Sequence, residues 1–118
     1  MSRVEQFTQF RQRMNERILA HDNKVVKRFF TLDKNLYGEA SHLDERTKEM
    51  LGLVASLVLR CDDCVSYHIA QCKAAGVSHD EIFEVMSVGL VVGGSIVIPH
   101  LRRAVDFLDE IEGTSAQG

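Results

Sequence analysis

The chain contains the apolar run MLGLVASLVL at residues 50–59, followed one residue later by the polar run CDDCVSYH at residues 61–68. With two exceptions, every residue of the first run is apolar. A helix that is apolar all round is normally buried on every side. We therefore predict a central helix that begins after Asp44 and ends near Arg60. Because a chain of 118 residues has little else to cover this helix, we expect subunit contacts to cover part of it.

Helix start and stop signals recur on both sides of this run. Capping-box patterns occur at Ser2 with Glu5 and at Ser78 with Glu81. The one proline, Pro99, fits the first turn of a helix. Strand-like alternation does not persist anywhere, so the sequence predicts an all-α fold of about six helices. We expect one domain over residues 1–118 with a frayed tail at 113–118. The first five predicted helices cover about residues 2–18, 24–36, 44–60, 62–76 and 78–93. The last helix is predicted to begin between residues 95 and 99 and to end near residue 111.

The first two predicted helices each carry an apolar stripe at helical spacing. We expect the stripe of the second helix to face the core. The stripes consist of Phe7, Phe10, Met14 and Ile18 in the first helix and of Val25, Val26, Phe29 and Phe30 in the second.

Composition and charge exclude several kinds of partner. The formal net charge is −3 and Lys and Arg form no cluster, so we expect no nucleic-acid partner. The N-terminal sequence MSRVEQFTQF lacks the apolar segment of a signal peptide. The most apolar run, residues 88–98, is interrupted by glycines and is shorter than the roughly 18 residues of a membrane span. We therefore predict a cytoplasmic protein without a membrane partner. In the cytoplasm, cysteines are more often redox-active, free or metal-bound than joined in structural disulfides.

The candidate chemistry lies in the segment CDDCVSYH. Cys61 and Cys64, three residues apart at a helix start, can form a disulfide with little backbone movement. The helix dipole favours the thiolate of Cys64, and His68 lies one turn further along the same face, where an imidazole can take the thiol proton. Asp62 and Asp63 act in the opposite direction, because nearby negative charge raises a thiol pKa. We expect the helix end and His68 to dominate, which predicts thiol–disulfide chemistry.

Two other interpretations of this cluster stay open. One is structural, with small buried cysteines and a core histidine. The other is a metal site, but Cys61 and Cys72 lie about 16 Å apart along one helix, whereas zinc holds all its ligands within about 2.3 Å. A three-ligand site of Cys61, Cys64 and His68 in a non-catalytic oligomer stays open, with Cys72 in the core. The favoured interpretation uses neither a metal nor a cofactor.

Together with their neighbours, these residues resemble the carboxymuconolactone decarboxylase and alkylhydroperoxidase D (AhpD-like) family. The most specific feature is the spacing, with eleven residues between Glu49 and Cys61 and three between Cys64 and His68. The matching segments are KEML at 48–51, CDDC at 61–64, GVSHDEI at 76–82 and the glycine pair at 93–94, within a family core of about 43–108.

This resemblance implies an all-helical fold that assembles into trimers or hexamers, and the peroxidase cycle of AhpD-like members. Cys64 would be the peroxidatic thiol that attacks a hydroperoxide, and Cys61 would be the resolving thiol that condenses with the resulting sulfenic acid. His68 and Glu49 would form the proton relay. A dithiol reductant, such as a lipoyl or thioredoxin-like protein, would reduce the disulfide again.

The sequence departs from the pattern of the best-known AhpD-like peroxidases at one position. Those peroxidases carry a second histidine just before the peroxidatic cysteine, where this chain has Asp63, so we expect an altered proton relay. The true decarboxylases generally keep the histidine but lack the CxxC pair. This difference disfavours the alternative function, a lyase acting on a small lactone acid with His68 as acid or base.

The position of Glu49 in the predicted site depends on how the third and fourth helices cross. In a simple antiparallel hairpin, Glu49 lies about 16 Å from the turn and Cys64 about 5 Å, so direct contact fails. A steep helix crossing, a water bridge through His68 or a neighbouring subunit would restore the link, and otherwise Glu49 is a solvated or salt-bridged carboxylate. We expect pocket walls from helices two, five and six, and surface or structural roles for His21, His42, His79 and His100.

Overall fold

The computed structural model describes residues 2–113, and this part of the chain contains α-helices, one short 3-10 helix and no strand. The all-α prediction is confirmed. The predicted frayed tail lies outside the described residues except for Gly113. Between residues 2 and 113, no helix is both long and apolar enough to cross a membrane. The helices are α1 Arg3–Ala20, α2 Lys24–Gly38, α3 Glu45–Val58, α4 Asp62–Ala74, α5 His79–Gly93 and α6 Ile98–Glu112, with the 3-10 helix Ser95–Val97 before α6.

Local capping interactions fix several of these helix ends. The Asp44 carboxylate accepts the backbone N–H of Thr47 at the start of α3. Ser78 and Glu81 form the predicted reciprocal capping box at the start of α5. Gly76, with φ of 85°, follows the end of α4 in the left-handed region that favours glycine. These ends agree with the sequence to within about two residues because each depends on neighbours along the chain.

An ion pair joins the start of α3 to the start of α5. Arg46 donates a hydrogen bond to Glu81. This hydrogen bond, together with those from Ser78, lowers the pKa of Glu81 to about 2. The carboxylate that caps α5 therefore also holds α3 beside it.

The core lies around α3, which packs against α4 and α5, while α4 also packs against α6. Leu53 and Leu57, one turn apart on α3, are fully buried, as expected for the central helix. Full burial of one such side chain is worth about 1.5–3 kcal/mol. The other buried apolar residues are Val65, Ile69, Cys72, Val77, Ile82, Met86, Val97, Ala104, Phe107 and Leu108.

Within one chain, α3 is covered on only part of its surface. Leu51 and Leu59 are exposed, Leu59 to 76%. Val91 and Val92, at the end of α5, are exposed to 85% and 70%. The expectation that subunit contacts cover the rest of α3 therefore stays a prediction.

The helices α1 and α2 lie at the edge of this core, and none of their described residues is fully buried. The rings of Phe7 and Phe107 pack edge to face at 5.5 Å, which holds α1 against α6. The prediction that the α2 stripe faces the core is wrong for Val25 and Phe29, which are 74% and 65% exposed. A groove lies between α1, α2, α3 and α4.

Candidate functional site

Cys61 and Cys64 lie at the start of α4, where a tight link from α3 positions them. Arg60 has φ of 61°, and the Cys61 N–H donates to the carbonyl of Ser56 at 3.1 Å. Cys61 is the N-cap of α4, and its sulfur accepts the N–H of Cys64 at 3.3 Å. The two sulfurs form a disulfide whose Cα atoms are 5.3 Å apart. Both sulfurs therefore lie at the electropositive end of α4.

Each of the two aspartates between the cysteines has a cationic partner. Asp62 lies 2.7 Å from His100 Nδ1 and accepts a hydrogen bond from Arg103 at 3.1 Å. Asp63 accepts from Arg11 at 3.3 Å. These partners offset the negative charge that opposes thiolate formation. Through Asp62, His100 and Arg103 also join α6 to the start of α4.

His68, on α4, is in direct contact with Glu49, on α3. His68 Nδ1 lies 2.8 Å from Glu49 Oε1, and Glu49 is only 2% exposed. When Glu49 is a carboxylate it can only accept, and Nδ1 then carries the hydrogen and leaves Nε2 for another partner. The interpretation of Glu49 as a solvated carboxylate is wrong. This contact forms within one chain and needs no neighbouring subunit.

Two tyrosines flank the imidazole of His68. The ring centroids of Tyr37 on α2 and Tyr67 on α4 lie 5.4 and 5.2 Å from that of His68. Burial, and then the negative charge of Glu49, raise the pKa of both phenols. The guanidinium of Arg11 lies 4.1 Å from the centroid of the Tyr67 ring, a cation–π contact. At neutral pH both tyrosines are therefore neutral walls of the site.

A pocket of about 290 Å³ opens beside Cys64 and His68, with walls from α1, α2 and α4. A second pocket of about 760 Å³ shares some of these walls and reaches Glu49. The prediction of a wall from helix two is confirmed, whereas helices five and six do not contribute to the pocket beside Cys64. The reason is that α5 packs against α3 and α6 against α4 within the core. The other residues lining the first pocket are Arg11, Asn15, Phe29, Phe30, Asp33 and Tyr67.

Sequence reasoning missed the contributions of Arg11 and Tyr67. Tyr67 lies inside the segment CDDCVSYH, next to His68, so its position there was an available signal. Arg11 carries no such signal, because its place beside Tyr67 and Asp63 depends on how α1 packs against α6 and α2. Long-range packing of this kind is not encoded in any local spacing.

The third cysteine, Cys72, is completely buried in the core, as predicted. Burial, followed by the charge of Glu49, raises the pKa of its thiol to about 12. Because only the thiolate is an effective nucleophile, Cys72 is inert at neutral pH.

Elsewhere among the described residues, three side chains of types that can bind a metal lie close together. The ligand atoms of His79, Asp109 and Glu112 are within 4.8 Å of one another. Lys73 already donates to Glu112 at 2.8 Å, and His79 Nδ1 lies 2.6 Å from its other oxygen. Burial raises the pKa of Glu112, but these hydrogen bonds outweigh it and lower the pKa overall. The cluster is therefore explained by ion pairing. The alternative set of Cys61, Cys64 and His68 is unavailable to a metal while the two sulfurs are bonded to each other.

Comparison with known sequences identifies the family. The sequence model of the carboxymuconolactone decarboxylase family matches residues 23–107. The chain belongs to this family. One curated relative in this comparison is uncharacterized protein 4 in the cox locus of Paracoccus denitrificans, 27% identical over 85 residues, which covers 72% of this chain and 76% of that protein. The resemblance seen in the cysteine–histidine spacing is thus confirmed.

Two crystal structures of TM1620 from Thermotoga maritima are similar to this chain over almost its whole length. One is 51% identical with a TM-score of 0.88, covering 97% of this chain and 99% of that one. The other is 50% identical with a TM-score of 0.86, covering 96% and 95%. TM1620 is described as a carboxymuconolactone decarboxylase family protein with a suggested part in antioxidative response.

A more distant structure shares the fold. The family protein lpg0406 from Legionella pneumophila is 20% identical with a TM-score of 0.66, covering 91% of this chain and 88% of that one. The all-helical architecture is therefore common to carboxymuconolactone decarboxylase family proteins whose sequences have diverged widely.

Proposed function

We propose that this carboxymuconolactone decarboxylase family protein is a thiol peroxidase of the AhpD-like kind, with disulfide oxidoreductase activity through the same cysteine pair. One arrangement carries the proposal. Cys61 and Cys64 form a pair at the start of α4, and Cys64 lines the same pocket as the His68 imidazole, which the buried carboxylate of Glu49 orients. The suggested part of TM1620 in antioxidative response supports it, since the two chains are half identical.

In the proposed cycle, the Cys64 thiolate attacks the terminal oxygen of a hydroperoxide and the O–O bond breaks. His68, which took up the thiol proton, returns it to the departing alkoxide, and an alcohol leaves. Cys64 is then a sulfenic acid. The Cys61 thiolate attacks its sulfur, the S–S bond forms, and the hydroxyl leaves as water with the second thiol proton.

Access supports the assignment of Cys64 as the attacking thiol. Cys64 lines the 290 Å³ pocket together with His68, and Cys61 is not among the residues lining that pocket. Cys61 lies three residues before Cys64, and its sulfur caps α4 by accepting the backbone N–H of Cys64. This arrangement suits a resolving thiol, which needs to reach only the neighbouring sulfur.

The oxidised pair has to be reduced before another turnover. A dithiol does this by attacking the disulfide, forming a mixed disulfide, and leaving as its own disulfide while Cys61 and Cys64 return to thiols. We propose a lipoyl or thioredoxin-like protein as the partner and the cytoplasm as the compartment. A reducing compartment would keep the pair ready for the next hydroperoxide.

The direct test is the redox state of the cysteines after treatment of the reduced protein with one equivalent of an organic hydroperoxide. We expect the intact mass to fall by two hydrogens and digestion to yield a peptide with Cys61 bonded to Cys64. Cys72 provides the internal control, because its buried, high-pKa thiol should react with iodoacetamide only after unfolding. Unmodified Cys61 and Cys64 in the presence of excess hydroperoxide would contradict the proposal.

We also propose that the chain assembles into a trimer or hexamer. Support comes from the apolar side chains that a single chain leaves uncovered at Leu59, Val91 and Val92. We expect light scattering coupled to gel filtration to give three or six times the mass of one chain. A monomeric mass at micromolar concentration would refute the assembly without affecting the proposed chemistry.

A further inference from the structure

Gly52 lies in the middle of α3, one turn after Glu49. Glycine is a poor helix former, because it loses more backbone freedom on folding than any other residue. The backbone here does not require glycine, since the glycines with positive φ are Gly76, Gly94 and Gly113. A different feature of the fold must account for glycine at this position.

The feature is the imidazole of His68. A Cβ atom at position 52 would lie 2.6 Å from Cε1 of His68, 2.8 Å from Nδ1 and 2.8 Å from Nε2. Non-bonded carbon atoms pack at about 3.5–4.0 Å, so three atoms of one rigid ring would overlap the methyl group at once. Rotation of the ring alone would break the hydrogen bond between Nδ1 and Glu49.

Two aromatic side chains enclose the imidazole on the sides that do not face the pocket. Tyr37 and Tyr67 pack against the imidazole with centroid distances of 5.4 and 5.2 Å. The ring therefore lies between α3 and two aromatic side chains, with most of its surface covered. The open side of the ring is the pocket beside Cys64, so a displacement forced from position 52 would move the imidazole away from α3 and therefore away from Glu49.

We infer that Gly52 is a positioning residue, whose missing side chain forms the notch that holds the His68 imidazole against Glu49. Positions three apart on a helix lie on one face, so α3 presents the carboxylate and the notch together. Held there, Nδ1 donates to Glu49 and Nε2 keeps a free lone pair for proton transfer. The catalytic consequence rests on the proposed peroxidase function, whereas the positioning itself does not.

The alternative is that Gly52 serves only the general packing of α3. Gly89 on α5 provides a matched control, because it also lies inside a helix and its Cβ would lie 3.0 Å from Cδ2 of Leu57 and not against His68. Gly89→Ala therefore crowds α3 from another side without touching the imidazole. A general packing role predicts the same consequences at His68 for both variants.

The first test compares wild type, Gly52→Ala and Gly89→Ala by the ring ¹⁵N chemical shifts of His68, which report the tautomer. We expect Nδ1-protonated imidazole in the wild type and in Gly89→Ala, and loss of this preference in Gly52→Ala. Consumption of an organic hydroperoxide with a dithiol should fall about 100-fold in Gly52→Ala, the order of a lost general base, and stay near wild type in Gly89→Ala.

The second test is a stability cycle that does not depend on activity. In the wild-type background, Gly52→Ala should lower the urea midpoint or abolish folding. In the background Glu49→Gln/His68→Ala, where no ring occupies the notch, the same Gly52→Ala change should leave the midpoint equal or raise it, since alanine favours the helix.

The outcomes separate the two proposals. An unchanged tautomer in Gly52→Ala, or an equal destabilisation in both backgrounds, would overturn the positioning role of Gly52. An inactive wild type with the expected tautomer and stability results would refute the peroxidase proposal and leave the positioning role standing.

Discussion

Replacing Cys64 with serine should reduce the consumption of hydroperoxide to the rate of the uncatalysed reaction. Cys64 is the thiol of the pair that lines the pocket beside His68. A serine hydroxyl stays protonated at neutral pH and is a much weaker nucleophile than a thiolate, and it cannot form a disulfide with Cys61. The measurement is consumption of an organic hydroperoxide at neutral pH with dihydrolipoamide as the reductant.

Two further cysteine variants serve as controls for Cys64→Ser. Cys61→Ser should complete one oxidation and stop at the Cys64 sulfenic acid, which dimedone traps and mass spectrometry detects. Cys72→Ala should keep the full cycle, because that thiol is buried and neutral. Retention of peroxidase activity by Cys64→Ser would refute its role as the nucleophile. A lactone acid consumed equally by Cys64→Ser and wild type would instead favour the decarboxylase-type lyase with His68 as acid or base.

The helices were predictable because the interactions that begin and end them are local. The Ser78 capping box, the Asp44 cap and the left-handed Gly76 each involve residues within a few positions of one another. The central helix was predictable for a different reason, since a run as apolar as residues 50–59 has to be buried somewhere. Its exposed Leu59 marks where one chain alone does not satisfy that requirement.

The α2 helix shows what an apolar stripe does not specify. Val25 and Phe29 lie one turn apart, as the residues of a core-facing stripe would, yet both are exposed. Periodicity predicts that a face is apolar but gives no direction in which that face points. The same limit hid the wall that Arg11 contributes to the site, because the position of α1 depends on distant contacts such as Phe7 with Phe107 on α6.

The residues of the site that lie on one helix were predictable, whereas the contact between two helices was not. Cys61, Cys64 and His68 lie on one helix start, so their spacing was sufficient to group them. Glu49 depends on how α3 crosses α4, and a simple hairpin argument could not decide between a solvated carboxylate and a partner of His68. Its direct bond to His68 depends on a close approach of the two helices, which the absence of a side chain at Gly52 permits.

Removing the imidazole of His68 should strongly destabilise the protein. His68→Ala leaves the carboxylate of Glu49, which is 2% exposed, without its hydrogen-bond partner. Breaking a buried pair by removing one partner costs about 3–5 kcal/mol, mostly because an uncompensated charge stays buried. Urea unfolding at neutral pH, followed by circular dichroism, measures this difference.

Glu49→Gln separates the charge from the contact. An amide at this position leaves no buried charge, so we expect Glu49→Gln to cost only about 1–3 kcal/mol for the altered hydrogen bond. The double variant Glu49→Gln/His68→Ala should then be more stable than His68→Ala alone, because Glu49→Gln removes the buried charge that His68→Ala leaves without a partner. Equal stabilities of His68→Ala and Glu49→Gln/His68→Ala would mean that His68 does not stabilise the buried carboxylate of Glu49. A carboxylate that is indifferent to the imidazole could not orient it, and the proton relay proposed for this site would have to be abandoned.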